Sequence, residues 1–231
     1  YMPNAVQYSI RAFSNDGTAT QSDILEALKL AEKLGANVIS CSWGYFGNTD
    51  DVISRKVRDL RSKGIVVVCA GGNYGPAPNT ITVPASSPYT IAVGAVNKAL
   101  EKAKFSNFGP RLITMAPGVD LLGCWLDDSY AKCSGTSMAT PILSSIIALE
   151  LQLRELTLEK AIEKIAATSI DMAEKGWDMK TGWGLIEPYK FLGIKSTSKK
   201  SPLLNLLGLL FLILVLFKIP TASISSKLNR V

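Results

Sequence analysis

Ile65, Val66, Val67, Val68, Cys69 and Ala70 form an unbroken apolar run. It is too short for a membrane span and lacks the alternation of a strand with one wet face. Such a run is a strand covered on both sides, so helices must pack above and below it. The flanking pattern supplies them. Residues 22–34 place Ile24, Leu25, Leu28, Ala31 and Leu34 on one helical face, with Ser22 as the expected N-cap and Gly35 as the stop. Residues 37–41 read as a short buried strand and residues 50–63 as an amphipathic helix. Residues 90–96 and 112–116 add two strands, and residues 5–13 alternate like another before a turn at Asp16 and Gly17. Strand, helix, strand succession predicts an α/β fold of three layers, a mostly parallel sheet between helices. No internal repeat is visible, so residues 1–194 read as one domain.

Beyond it the composition changes. Residues 195–201 are a small, polar linker, and residues 202–219 are almost continuously Leu, Ile, Val and Phe. That stretch is close to the short end of the about 17 to 25 residues that cross a bilayer, and Lys218 can snorkel at its edge. It reads as a single transmembrane helix, the alternative being a buried or amphipathic helix. The polar tail, residues 220–231, argues against a GPI signal, and equal lysine and arginine counts on the two flanks leave orientation open. A net charge of +6 without a basic stripe interleaved with aromatics excludes nucleic acid as the expected partner. Cys41, Cys69, Cys124 and Cys133 have no CxxC spacing. Cys124 and Cys133 flank a polar segment where a hairpin would bring them face to face, so they are either a disulfide or free thiols.

The most chemically specific segment is Ser134, Gly135, Thr136, Ser137, Met138, Ala139, Thr140 and Pro141, followed by an apolar helix from residue 142. A serine in a first helical turn sits among free N–H groups and at the positive end of the helix dipole. Gly135 permits close backbone approach, and Pro141 lacks the N–H that would bond the Ser137 carbonyl. A nucleophilic serine would be presented in this way. A Ser/Thr cap before a tolerated proline has the same local pattern.

Residues 1–194 resemble the latter part of a subtilisin-like serine peptidase. The resemblance rests on Gly135 to Pro141, on Ala70, Gly71, Gly72, Asn73, Tyr74 and Gly75, and on Ser42, Trp43 and Gly44. It extends through Asn107, Phe108, Gly109, Pro110, Ala116, Pro117 and Gly118 to Gly182, Trp183, Gly184, Leu185 and Ile186. It implies Ser137 as the attacking hydroxyl and Asn73 as oxyanion donor. Peptide substrate would lie along Ser42, Trp43 and Gly44, with its first specificity pocket between them and Ala70, Gly71 and Gly72, and residues 82–85 near the far wall. No acidic residue occurs in these segments, so uncharged P1 side chains are expected. No cofactor is implied. Structural calcium occurs in the family, but no site for it is legible here.

The departure from the family is the base. The 231 residues contain no histidine, whereas the family carries its catalytic Asp and His before the strand matched by residues 5–13. A histidine frequent after the family's proline is Ile142 here. The expectation is therefore the C-terminal part of a membrane-tethered endopeptidase, incomplete at its N-terminus and inactive alone, with the catalytic part extracytoplasmic. Two alternatives stand: a truncated pseudopeptidase acting as a tethered peptide-binding module, and a sedolisin-like enzyme with Glu and Asp in place of His. Asn73 weighs against the second, because sedolisins generally place an Asp there. A Ser–Lys arrangement with Lys132 competes with an ordinary exposed strand lysine.

Overall fold

The computed structural model describes residues 5–195. The linker at 195–201, apart from Lys195, the apolar stretch at 202–219 and the tail at 220–231 lie outside the described residues. Helix α1 (Gln21–Lys33) leads to β1 (Val38–Cys41), α2 (Val52–Ser62), β2 (Val66–Ala70), β3 (Ile91–Val96) and β4 (Leu112–Pro117). The hairpin β5 (Leu121–Cys124) and β6 (Tyr130–Cys133) follows, then α3 (Thr136–Leu153), α4 (Leu158–Thr168) and α5 (Pro188–Leu192). The four strands β1 to β4 form one parallel sheet in that order.

The apolar run in β2 acts as its composition requires. Val66 and Val68 face a core with Leu143, Ile146 and Ile147 of α3 and Ile165 of α4. Val67 and Cys69 face Ile24 and Leu28 of α1 and Val57 and Leu60 of α2. Each face is thus sealed by its own helical layer, and the predicted three-layer architecture holds. Among the described residues α3 is the one helix long and apolar enough to cross a membrane. It packs across all four strands of the sheet and is the central core helix.

Two local expectations are corrected, and one open alternative, the state of Cys124 and Cys133, is decided. The N-cap of α1 is Thr20 and not Ser22: Thr20 Oγ1 accepts from the Asp23 N–H while Asp23 accepts from the Thr20 N–H, a reciprocal box. Ser22 has Leu25 three residues on, which cannot return the bond. Residues 5–13 are not a strand, and Val6 and Tyr8 are exposed. A strand needs a ladder partner, and β1 ends the sheet among the described residues with its outer edge unpaired. Cys124 lies opposite Tyr130, and Cys133 opposite Leu121. An offset of three residues is about 10 Å along a strand, beyond the about 7 Å between Cα atoms that a disulfide spans. Both thiols are free, as are Cys41 and Cys69, which are buried in register on β1 and β2.

Near the C-terminal end of α3, Glu150 is 1% exposed and pairs with Arg154 Nη1 at 2.8 Å and with Lys164 Nζ. Burial pushes its carboxyl pKa up, but the bonds from Lys164 and Arg154 together outweigh burial and hold it below the usual value. The pair therefore stabilises the fold above the unfolded carboxyl pKa, and this contribution is lost as pH falls through the lowered folded pKa. Replacing Glu150 by Gln should cost about 1–3 kcal/mol at pH 7. Urea midpoints of the two proteins should converge as pH falls below the lowered folded pKa.

Candidate active site

Because the strands are parallel, the loops leaving β1 and β2 emerge at one edge of the sheet, where the N-terminus of α3 meets them. Ser137, the second residue of α3, is half-buried. Its Oγ donates to the Ser42 carbonyl at 3.1 Å, and its own carbonyl accepts from Ser42 Oγ at 2.9 Å. The Ser137 carbonyl is available because Pro141, four residues on, has no N–H to offer it. The helix defect thus ties the serine to the segment after β1.

Asn73 stands beside this turn. Its Oδ1 accepts from the Thr136 N–H at 2.8 Å and from Thr136 Oγ1 at 3.0 Å. Thr136 Oγ1 in turn accepts from the Gly72 N–H at 3.1 Å. With its oxygen held by two donors the amide has one orientation, and Nδ2 donates to no group among the described residues. A Cβ built on Gly135 would stand 3.3 Å from Asn73 Nδ2 and 3.6 Å from Ser137 N. Two N–H donors therefore border the space that a glycine leaves open. The N-cap residue, Gly135, has no side chain to cap α3 and no acid lies in its first turn, so the Ser137 N–H stays at the positive end of the helix dipole.

The remaining predicted residues gather around this pair. Tyr45 and Val83 exchange backbone bonds of 3.0 and 2.9 Å, which fixes residues 42–44 beside residues 82–84. The Thr82 N–H donates to the Gly71 carbonyl at 3.1 Å, and a Cβ on Gly44 would fall 2.3 Å from Thr82 Oγ1. Buried Thr82 thus lies between the Ser42–Gly44 segment and Ala70, Gly71 and Gly72. Ser42 and Gly44 are exposed, whereas half-buried Trp43 packs in the α1/α2 core with its ring centroid 6.4 Å from that of Phe13. Lys132 is exposed on β6, and among the described residues neither a lysine nor a carboxylate bonds Ser137.

The subtilase family model matches residues 1–184. The chain belongs to the subtilase family. It is 37% identical over 173 residues to the thermophilic serine proteinase of Bacillus sp. (strain AK1), covering 72% of this chain and 42% of that protein. It is 34% identical over 176 residues to subtilisin DY of Bacillus licheniformis, covering 74% of this chain and 64% of that protein. The chain thus spans about half the length of these curated relatives. Among solved structures, the prenylagaramide maturation protease PagA superposes with a TM-score of 0.69 at 26% identity, covering 78% of this chain and 69% of that one. A mutant of the protease domain of PatA gives 0.70 at 28% identity, with coverage of 79% and 68%. The mixed α/β fold with its helix-flanked parallel sheet is the fold these subtilases share.

Two residues of this subtilase that the sequence motifs include without a role stand at the site. Thr136 sets the Asn73 amide, and its adjacency to Ser137 was the available signal. Buried Asn107 reaches the Gly71–Tyr74 loop from 34 positions away from Asn73, and no local pattern shows that contact. Gly72 has a φ of +109°, and a Cβ on it would sit 2.2 Å from Asn107 Nδ2. Gly72→Ala should therefore lose about 2–4 kcal/mol of stability from backbone strain and overpacking, measured as the shift in urea midpoint.

Proposed function

We propose that this subtilase is a serine endopeptidase in which Ser137 is the nucleophile and Asn73 an oxyanion donor. The observation that carries the reading is the pair of unpartnered N–H donors, Asn73 Nδ2 and Ser137 N, bordering one open space beside Ser137 Oγ. Ser137 Oγ adds to the scissile carbonyl and gives its proton to a base. The two N–H groups hold the resulting oxyanion, and the C–N bond breaks as that proton passes to the leaving amine, leaving an acyl-enzyme on Ser137 that water hydrolyses to the free acid and serine. Peptide lies extended along Ser42, Trp43 and Gly44, whose exposed backbone supports strand-like pairing. Its P1 side chain enters between that segment and Ala70, Gly71 and Gly72. Thr82 at the floor and the lack of nearby acids favour small, uncharged groups.

The base and its carboxylate partner come from polypeptide upstream of residue 1. The 231 residues contain no histidine to serve as the base. The unpaired outer edge of β1 leaves room for a further strand. Residues 1–194 are the peptidase part, residues 195–201 a linker, and residues 202–219 tether it to a membrane with the catalytic part extracytoplasmic.

The coding sequence upstream of Tyr1 should contain an Asp-Ser/Thr-Gly and a His-Gly-Thr-His segment. An intact reading frame without them would favour the pseudopeptidase alternative. The full-length protein should hydrolyse peptides and take a fluorophosphonate label at Ser137. Label persisting in Ser137→Ala would overturn the assignment. Asn73→Ala should lower kcat about 10²- to 10³-fold with little change in KM, a magnitude carried over from a subtilisin. The 231-residue chain alone should show no turnover.

A further inference from the structure

Asn73 is exposed, and among the described residues its own side chain hydrogen-bonds only to Thr136. Its Nδ2 can occupy a fixed place only if the backbone on either side of it is fixed. Both sides are held by one residue. The Asn107 backbone N–H donates to the Gly72 carbonyl at 2.9 Å, and Asn107 Oδ1 accepts from the Tyr74 N–H at 2.6 Å. These are the residues immediately before and after Asn73. Asn107 Nδ2 donates to the Gly71 carbonyl at 3.2 Å and to the Thr80 carbonyl at 2.6 Å, closing the loop from residue 71 to residue 80 on itself.

The bed beneath Asn107 is rigid. Asn107 is fully buried, and the adjacent Ser106 Oγ accepts from the Ala95 N–H of β3 at 3.0 Å. The Phe105 carbonyl accepts from the Gly75 N–H at 2.9 Å, and the Phe108 carbonyl from the Thr80 N–H at 3.2 Å. Every hydrogen-bonding position of the Asn107 carboxamide that points at the loop is in use, and the loop offers it backbone groups alone. A buried amide so placed does not bind peptide and does not touch the reacting atoms.

We infer that Asn107 is a positioning residue for the oxyanion hole, acting through Asn73 by clamping the peptide groups on both sides of it. The inference rests on the peptidase reading above. Catalysis needs the donor already in place when negative charge develops, and a displacement of about 1 Å costs about 100-fold in rate. Loosening the clamp should therefore slow the chemical step and leave ground-state peptide binding, made along Ser42 to Gly44, unaffected.

The test uses the full-length protein. Asn107→Asp keeps the shape and the acceptor for the Tyr74 N–H, but turns an oxygen toward the Gly71 and Thr80 carbonyls. It should lower kcat about 10- to 100-fold with KM within about threefold. In an Asn73→Ala background the same change should lower kcat by less than about twofold, because the donor it positions is gone. Full additivity with Asn73→Ala, a rise in KM at unchanged kcat, or an unchanged kcat would each overturn the inference while leaving the peptidase reading intact. Absence of Ser137-dependent hydrolysis in the unmodified protein would remove both. Hydrogen exchange in the unmodified protein supplies an arm that needs no variant to fold. The Tyr74 amide, on an exposed residue, should be protected as strongly as its bond to buried Asn107 requires, and exchange at the free-peptide rate would refute the clamp.

Discussion

Burial of β2 and β3 on both faces is the constraint on which the molecule depends. A strand with no wet face cannot end a fold; it needs a helix on each side and a strand on each edge. α3 and α4 supply one layer and α1 and α2 the other, while β1 and β4 complete the hydrogen bonding. Parallel pairing then has a geometric consequence. All four C-terminal strand ends fall on one edge, so Ser42, which follows β1, and Gly71, which follows β2, are neighbours although 29 positions apart in sequence. The central core helix must start at that same edge to run back across the sheet, and its first turn delivers Thr136 and Ser137 to the two loops.

Local irregularities at this edge are coupled to one another. Pro141 frees the Ser137 carbonyl, and Ser42 takes it. Thr136 turns the Asn73 amide, and Gly135 carries no side chain into the space between it and the Ser137 N–H. Each departure from regular structure is compensated by a bond from another segment, which is the pattern expected where preorganisation matters more than maximal stability. Among the described residues Asn73 Nδ2 and the Ser137 N–H have no hydrogen-bond partner, and both border the space that Gly135 leaves open.

Much of this was legible before any coordinate. The Gly-Thr-Ser turn before an apolar helix, the Gly-Gly-Asn after a valine-rich strand and the Ser-Trp-Gly after another are contiguous patterns, and the structure brings all three together. What failed were statements about pairing. Residues 5–13 alternate correctly for a strand yet have no ladder partner. Ser22 was as good a cap by type as Thr20, but only Thr20 has an acid three residues on. Periodicity reports which face a residue prefers and does not say which segment will pair with it.

The amino-acid sequence alone determined the layers, the succession of elements and the residue types at the site, because those follow from short-range spacing and from the burial that apolar runs demand. Tertiary structure decided which carbonyl Ser42 bonds, which way the Asn73 amide points and that Asn107 holds the loop on both sides of it. These depend on hydrogen-bond geometry between residues 33 to 95 positions apart, and no periodicity within a segment encodes such distances. The histidine missing from all 231 positions is the complementary case. Composition alone determined that no imidazole could be folded into the site from within this chain, whatever tertiary structure it adopted.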